Sequence, residues 1–296
     1  MRRVTPHKQS HKLFVVLRLF IAGVILFLLA YTAQFARIQT PGLKVWFFDI
    51  GQGDAIFIET PNGQQILIDG GPGDLILQKL SSVMWPWDHS IDAIVITHPD
   101  ADHITGLVSV LERYQVKTIY ETGVRGGTPM IQALEQAIIN EQSQNKIVRG
   151  GQTFNWDGVQ VFVRWPSEEA IQTQKDRNNT SVVLKLVYGS TSILLTGDAE
   201  ETIEEEIGFS VGDIDVLKVG HHGSKTSTSV QLLKSISPEV AVIPVGADNS
   251  FGHPHPIILE RLKQVGAQIF RTDLDGDILL VSDSVSYKIS PAFLPF

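Results

Sequence analysis

The sequence predicts an α/β fold whose chemistry sits where strands end, and three observations carry this. Short apolar runs of strand length alternate with stretches of helical periodicity. Turn residues punctuate the gaps, as at Pro61-Asn62-Gly63, Asp157-Gly158 and Gly189-Ser190. The clusters of His and Asp each follow an apolar run rather than lying inside one, and strand ends are where ligand sites form in open α/β sheets.

The chain opens with Arg2, Arg3, Lys8, Lys12 and Arg18, all ahead of the first carboxylate, Asp49. Leu19 to Ala33 is uncharged, and Leu13 to Leu17 extends the run backwards across Arg18 alone. About 20 apolar residues span a bilayer, so the run predicts one transmembrane helix with Arg18 snorkelling to the headgroups. The basic flank then keeps the N-terminus in the cytoplasm and sends the body outside a bacterial cytoplasmic membrane. Thr32-Ala33 and Phe35-Ala36 offer small residues for cleavage, which makes a removed signal peptide and a secreted body the alternative. Residues 1–40 are thus the anchor or signal segment, and residues 41–296 the folded body.

Composition narrows the chemistry of that body. The whole chain has a hydrophobic fraction of 43% and a charged fraction of 19%, ordinary for a chain with a sizeable core. Cysteine is absent, which excludes disulfide scaffolds, thiolate metal sites and cysteine nucleophiles. Five of the 24 basic residues precede residue 19, leaving 19 against 32 acids, a balance of −13. Such a body does not favour nonspecific polyanion binding, because phosphate contacts need cations.

Leu43 to Phe48 reads as the first strand, ending at Asp49-Ile50-Gly51-Gln52-Gly53-Asp54. That loop lacks the Lys-Ser/Thr ending of a nucleotide cradle; Gly51 and Gly53 instead let backbone pass close to a neighbouring loop. Ala55 to Glu59 and Gln65 to Ile68 make a hairpin that ends at Asp69-Gly70-Gly71. Asp49 and Asp69 are placed either to orient metal ligands or to cap turn amides. The run 91–96 is a buried strand, and it delivers His98-Pro99-Asp100-Ala101-Asp102-His103 before a helix that starts near Thr105. Two imidazoles and two carboxylates stand within six residues; unpaired carboxylates so close repel one another and suit a bound cation, and nitrogen and oxygen donors of this kind fit zinc, manganese or iron.

Further along, Met130 to Glu141 is an amphipathic helix, Val159 to Val163 a strand, and Glu168 to Arg177 a polar surface loop. A hairpin of Ser181 to Val187 and Ser192 to Thr196 ends at Gly197-Asp198, and a helix follows over 199–207. Strand 214–219 delivers Gly220-His221-His222-Gly223-Ser224, and strand 240–243 delivers Gly252-His253-Pro254-His255. After a last helix, 257–265, two strands flank Leu274-Asp275-Gly276-Asp277, which reads as a hairpin turn.

These clusters resemble the metallo-β-lactamase fold, an αββα sandwich around a dinuclear metal centre. Asp-Ile-Gly-Gln-Gly-Asp-Ala, Leu-Lys-Val-Gly-His-His-Gly-Ser and Gly-His-Pro-His resemble, more narrowly, the hydrolase domain of the ComEC family of DNA-uptake competence proteins, over about residues 43–290. The resemblance implies two divalent ions, with His98 and Asp100 on one, Asp102 and His103 on the other, Asp198 bridging and His221 as the late histidine ligand. The commoner superfamily pattern has histidine where Asp100 stands, and another histidine before the Gly-Asp strand. No histidine lies between His103 and His221 here; Asn178, Asn179 or Ser181 stands near the missing position. Both departures enrich the site in oxygen and shift it towards manganese without excluding zinc. With Asp102, the histidines His222, His253 and His255 complete the implied catalytic set, contacting a substrate oxygen or protonating a leaving group. A supporting hydrogen bond for His222 and a rigid turn for Gly252 to His255 are the structural alternatives.

The resemblance implies a metal-dependent hydrolase of a phosphodiester, DNA above all, working beside a separate DNA-uptake channel, since this sequence carries one apolar segment rather than a multi-helix channel. A small-molecule esterase or lactamase, and a silent membrane-tethered binding module, are the other readings, because one fold hosts many activities.

Overall fold

The computed structural model describes residues 7–38 and 41–292. The chain divides into two units, Met1–Pro41 and Gly42–Phe296. The first contains one helix, α1 (His7–Ile38). Its side chains are described over 13–29, where Leu13, Phe14, Phe20, Phe27 and other apolar residues are exposed. Among the described residues no helix is long and apolar enough to cross a membrane. The side chains of the basic flank at Arg2, Arg3, Lys8 and Lys12, and of Tyr31 to Ala33, lie outside the described residues.

The second unit begins with β1 (Leu43–Phe47), β2 (Ile56–Glu59) and β3 (Gln65–Ile68), an antiparallel meander. Next come α2 (Leu75–Val83), β4 (Ser90–Val95), α3 (Ala101–Arg113), β5 (Gln115–Glu121), α4 (Pro129–Glu141) and β6 (Gln144–Ile147). Strands β3 to β6 run parallel, as strands joined through helices do. A second sheet is built from β7 (Thr153–Trp156), β8 (Val159–Trp165), β9 (Val183–Tyr188) and β10 (Thr191–Leu195), all antiparallel, with α5 (Glu168–Thr173) between β8 and β9. After α6 (Glu201–Val211) come β11 (Val216–Lys218), α7 (Val230–Ile236), β12 (Val240–Ile243), α8 (Pro256–Gln264) and β13 (Gln268–Arg271), which extend that sheet in parallel. The short α9 (Thr272–Asp275) returns the chain to β14 (Ile278–Ser282) and β15 (Tyr287–Pro291) on the first sheet. The sheet orders are β15-β14-β1-β2-β3-β4-β5-β6 and β13-β12-β11-β10-β9-β8-β7.

Alternation along the strands explains the layers. Val45, Phe47, Ile56, Ile58, Ile66, Ile68 and Val95 of the first sheet share one buried cluster with Val161, Leu184, Leu186, Ile193, Leu195, Val216 and Val242 of the second. Each such side chain contributes about 1.5–3 kcal/mol when fully buried, so this face-to-face cluster is what holds the sheets together. The opposite faces are also buried. Leu194, Leu217, Ala241 and Ile243 pack with Ile203 and Ile207 of α6, Leu232 and Leu233 of α7, and Ile258 and Leu262 of α8. The result is an α/β fold of two packed sheets with helices outside.

Three local expectations change. The polar stretch 168–177 contains α5, started by Ser167, whose hydroxyl accepts the Ala170 amide. The helix after β4 begins at Ala101 rather than Thr105, which places Asp102 and His103 in its first turn. Leu274 to Asp277 is not a hairpin turn: β13 and β14 lie in different sheets, and α9 is the crossover between them.

Candidate metal centre

The carboxyl ends of β3, β4, β10, β11 and β12 all open on one edge of the sandwich, and the polar clusters meet there. Beyond β3, Asp69 accepts the Thr97 amide at 2.9 Å, the Thr97 hydroxyl at 2.5 Å and a His103 ring N–H at 2.8 Å. Asp69 therefore both braces the loop and orients a ring, while Asp49 accepts only the Gly51 amide in its own turn, at 3.4 Å. Glycine makes the close packing feasible. A Cβ at Gly53 would enter the Asp102 carbonyl, and the Asp54 amide donates to that same oxygen at 3.3 Å. Gly51 has open space around it and serves its own positive φ instead.

Hydrogen bonds fix which nitrogen each histidine presents. His103 Nδ1–H is held by Asp69, so Nε2 is the free donor atom. His222 Nδ1 donates to the Pro244 carbonyl at 3.1 Å. His98 Nδ1 donates to Thr97 Oγ1 at 3.1 Å, since the hydroxyl proton of Thr97 is committed to Asp69. Each of the three imidazoles is thus held through Nδ1 and leaves Nε2 free, the arrangement by which outer partners orient metal ligands. Those three Nε2 atoms and Asp198 Oδ1 are buried without any hydrogen-bond partner. Four unmatched polar atoms at one place are costly unless a cation joins them.

His103 Nε2 and His222 Nε2 each lie 3.3 Å from Asp198 Oδ2, and His222 Nε2 lies 3.4 Å from Asp102 Oδ2. His98, His103 and Asp198 offer donor atoms within 4.8 Å of one another, and so do Asp102, His103 and His222. The nitrogen and oxygen set fits divalent cations. Its field points the same way. Burial lowers the proton affinity of His103, but Asp198 and Asp69 outweigh it and raise the pKa well above the ordinary value. In His222 burial is again outweighed, by Asp198 and Asp102, and the pKa rises to about 9. Burial raises Asp102, yet the adjoining His222 and His103 outweigh it and bring its pKa to about 2. The carboxylates that raise these pKa values also attract a cation, which must displace the protons as it binds.

Histidines 221 and 222 exchange their expected places. Both sit in the left-handed region, at φ 47° and 53°, between Gly220 and Gly223. Such backbone costs of order 1–3 kcal/mol per residue and persists where the surroundings impose it. The turn sends His222 inward to the donors, while His221 stays partly exposed, 3.9 Å from Asp198 and beside Asn178. The expected ligand His221 is therefore a rim residue, and His222 joins the donors. Asp100 also departs from its expected place: one oxygen lies 3.9 Å from His98 Nε2 and the other pairs with Arg177. His253 reaches the rim, its ring edge-on to His221 at 5.8 Å and stacked on Phe251 at 5.7 Å. Burial and the neighbouring His221 and His222 charges lower its pKa to about 4, so at neutral pH it is uncharged and not the acid expected of it. His255 is not brought to the donors; its Nδ1 caps α8 by accepting the Ile257 amide at 3.3 Å.

Of the three candidates for the missing position, Asn179 is committed to Glu200 and Ser181 to the Asp198 amide, leaving Asn178 at the rim. Two residues outside the expected set lie under the centre. Lys218 is fully buried, forms an ion pair with Asp54, and donates to the Gly197 carbonyl at 2.8 Å, with Asp198 Oδ1 3.7 Å away. A lysine inside the apolar run Val216-Leu217-Lys218-Val219 was the available signal, since a buried lysine needs a partner.

With the geometry in place, comparison with known proteins decides the family. The model of the metallo-beta-lactamase superfamily matches residues 48–247. The chain belongs to that superfamily. Among curated relatives of this superfamily member, it is 31% identical to ComE operon protein 3 of Bacillus subtilis, over 79% of this chain and 32% of that protein. It is 30% identical to Recombination protein 2 of Haemophilus influenzae, over 82% of this chain and 29% of that one. It is likewise 30% identical to Competence protein ComA of Neisseria gonorrhoeae, over 87% and 34%. The chain spans about a third of the length of these relatives. Among solved structures, CmlA, a diiron beta-hydroxylase from Streptomyces venezuelae, superposes with a TM-score of 0.55 at 14% identity, covering 82% of this chain and 55% of that one. The metallo-beta-lactamase fold protein YhfI from Bacillus subtilis gives 0.54 at 11%, covering 78% and 96%. At those identities the likeness is one of fold.

Proposed function

We propose that this metallo-beta-lactamase superfamily chain is a metal-dependent phosphodiesterase acting on DNA. The observation that carries the hydrolase is a pair of adjoining donor groups that share His103, one with His98 and Asp198 and one with Asp102 and His222, whose three Nε2 atoms are buried and unpartnered. Likeness to relatives named for competence and recombination supports DNA as the substrate class. Divalent zinc or manganese, one or two ions, would supply Lewis acidity that lowers the pKa of a water and neutralises a phosphoryl oxygen.

The protein's own residues do the rest. His98, His103, His222, Asp102 and Asp198 would hold the cations, and Asp69, Thr97 and the Pro244 carbonyl keep the rings oriented for them. The Lys218–Asp54 pair braces Asp198 from below. His253, neutral at pH 7, lies at the rim with an unpartnered Nδ1 and accepts or relays a hydrogen bond from substrate rather than serving as a standing acid. An extracytoplasmic location for the body rests on the sequence alone, on the basic residues ahead of the uncharged run 19–33.

The test compares single-stranded DNA, duplex DNA, a generic phosphodiester and a lactam, each with manganese and with zinc. Metal-dependent cleavage of the phosphodiesters is the expected result, with a shallow salt dependence because the body is acidic. Lactam opening without phosphodiester cleavage overturns the proposal.

A further inference from the structure

Residues 177–181 lie beside the donor set and its rim. Asn178 Nδ2 lies 3.3 Å from His221 Nε2, Asn179 exchanges hydrogen bonds with Glu200, and the Asp198 amide donates to Ser181 Oγ at 3.1 Å. Arg177 differs. Its Nε lies 2.8 Å from Asp100 Oδ1, yet that buried oxygen makes no hydrogen bond, so the two form a charge pair without the alignment of a hydrogen bond. Asp100 is its one ion-pair partner among the described residues, and the guanidinium side chain is 43% exposed. The second oxygen of Asp100 faces the other way, 3.9 Å from His98 Nε2.

Asp100 therefore stands between two positive claimants: the guanidinium on one side and any cation seated by His98 and Asp198 on the other. Charges of like sign on either side of one carboxylate oppose each other, strongly so where water is scarce. An exposed guanidinium is also the side chain best shaped to receive a phosphate oxyanion. We propose that Arg177 receives the anion and couples it to the cation. Resting on Asp100, it lowers cation affinity at the adjoining position of His98, His103 and Asp198; drawn off by a phosphate-class oxyanion, it restores that affinity. By reciprocity the cation strengthens anion binding by the same factor. The inference rests on the phosphodiesterase reading and deepens it, since substrate would then help to assemble the centre that cleaves it.

The experiment is calorimetric titration of the chelator-stripped full chain with manganese, with and without inorganic phosphate, for wild type, Arg177→Gln and Arg177→Lys. In wild type, phosphate is expected to tighten the weaker cation equivalent at least tenfold. Arg177→Gln is expected to bind that equivalent at least tenfold tighter with no phosphate present, and phosphate then adds less than threefold. Weaker cation binding by Arg177→Gln with an intact phosphate effect overturns the inference, for it would make Arg177 a support of the ligand. Should the glutamine variant fail to fold, Arg177→Lys decides: loss of most of the phosphate effect supports the inference, and an unchanged response overturns it. Turnover is not read, so the coupling can fail while phosphodiester cleavage stands, and the reverse.

Discussion

At the scale of single residues, the centre is defined by where ring nitrogens point. His222→Ala should lower cation affinity by about tenfold to a hundredfold, the usual effect of removing a ligand or its orienting partner. His221→Ala should leave stoichiometry intact and change affinity less than tenfold, because that ring stands 3.9 Å from Asp198 and faces the rim. Metal content after dialysis reads both, and equal losses would contradict the assignment. The residue types and spacing of 98–103, the Gly-Asp at 197–198 and the double histidine were legible in the sequence as the makings of a metal site. Which of two adjacent histidines turns inward was not. It depends on consecutive left-handed residues, and nothing in a sequence of residue types reports that turn. Lys218 was legible only as an anomaly, and its partner Asp54 looked no different from Asp49.

At the scale of elements, strand ends and tight turns could be read directly, because alternation of period two and Gly-Asn-Asp chemistry are local properties. The hairpins through Asn62-Gly63, Asp157-Gly158 and Gly189-Ser190 all form where the turn residues stand. Partnership across sheets is not local, which is why α9 read as a hairpin although it joins two sheets. One element-level contact has a pH signature. Glu204 on α6 is fully buried and accepts the Thr228 and Ser229 amides at the start of α7, at 2.6 and 2.7 Å, with Glu201 and Arg261 nearby. Burial outweighs those hydrogen bonds and raises its pKa from 4.5 to about 7. Between those values the folded chain keeps a proton that the unfolded chain has lost, so its contribution to stability declines as pH rises through that window. Glu204→Gln should remove that decline. Urea midpoints at pH 5 and pH 7.5 check it: wild type should fall further than the variant between the two, and parallel changes would contradict the account.

At the scale of the molecule, residues from Gly42 onward form a unit with its own two-sided core. Removing residues 1–41 should therefore leave a chain that unfolds cooperatively and binds metal like the full protein; a broad transition with lost metal would show that the first unit is needed for folding. The αββα architecture was legible because several strand-end motifs occur in one order along the chain. The central claim is that the strand ends together hold catalytic cations. Anomalous diffraction from crystals of the body grown with manganese or zinc tests it most directly. The account predicts density within about 2.0–2.2 Å of Nε2 of His103 and His222 and of an Asp198 oxygen, with His98 on the same or a neighbouring ion. Crystals that show no ion among these side chains, or an ion held only by exposed carboxylates elsewhere, would contradict it.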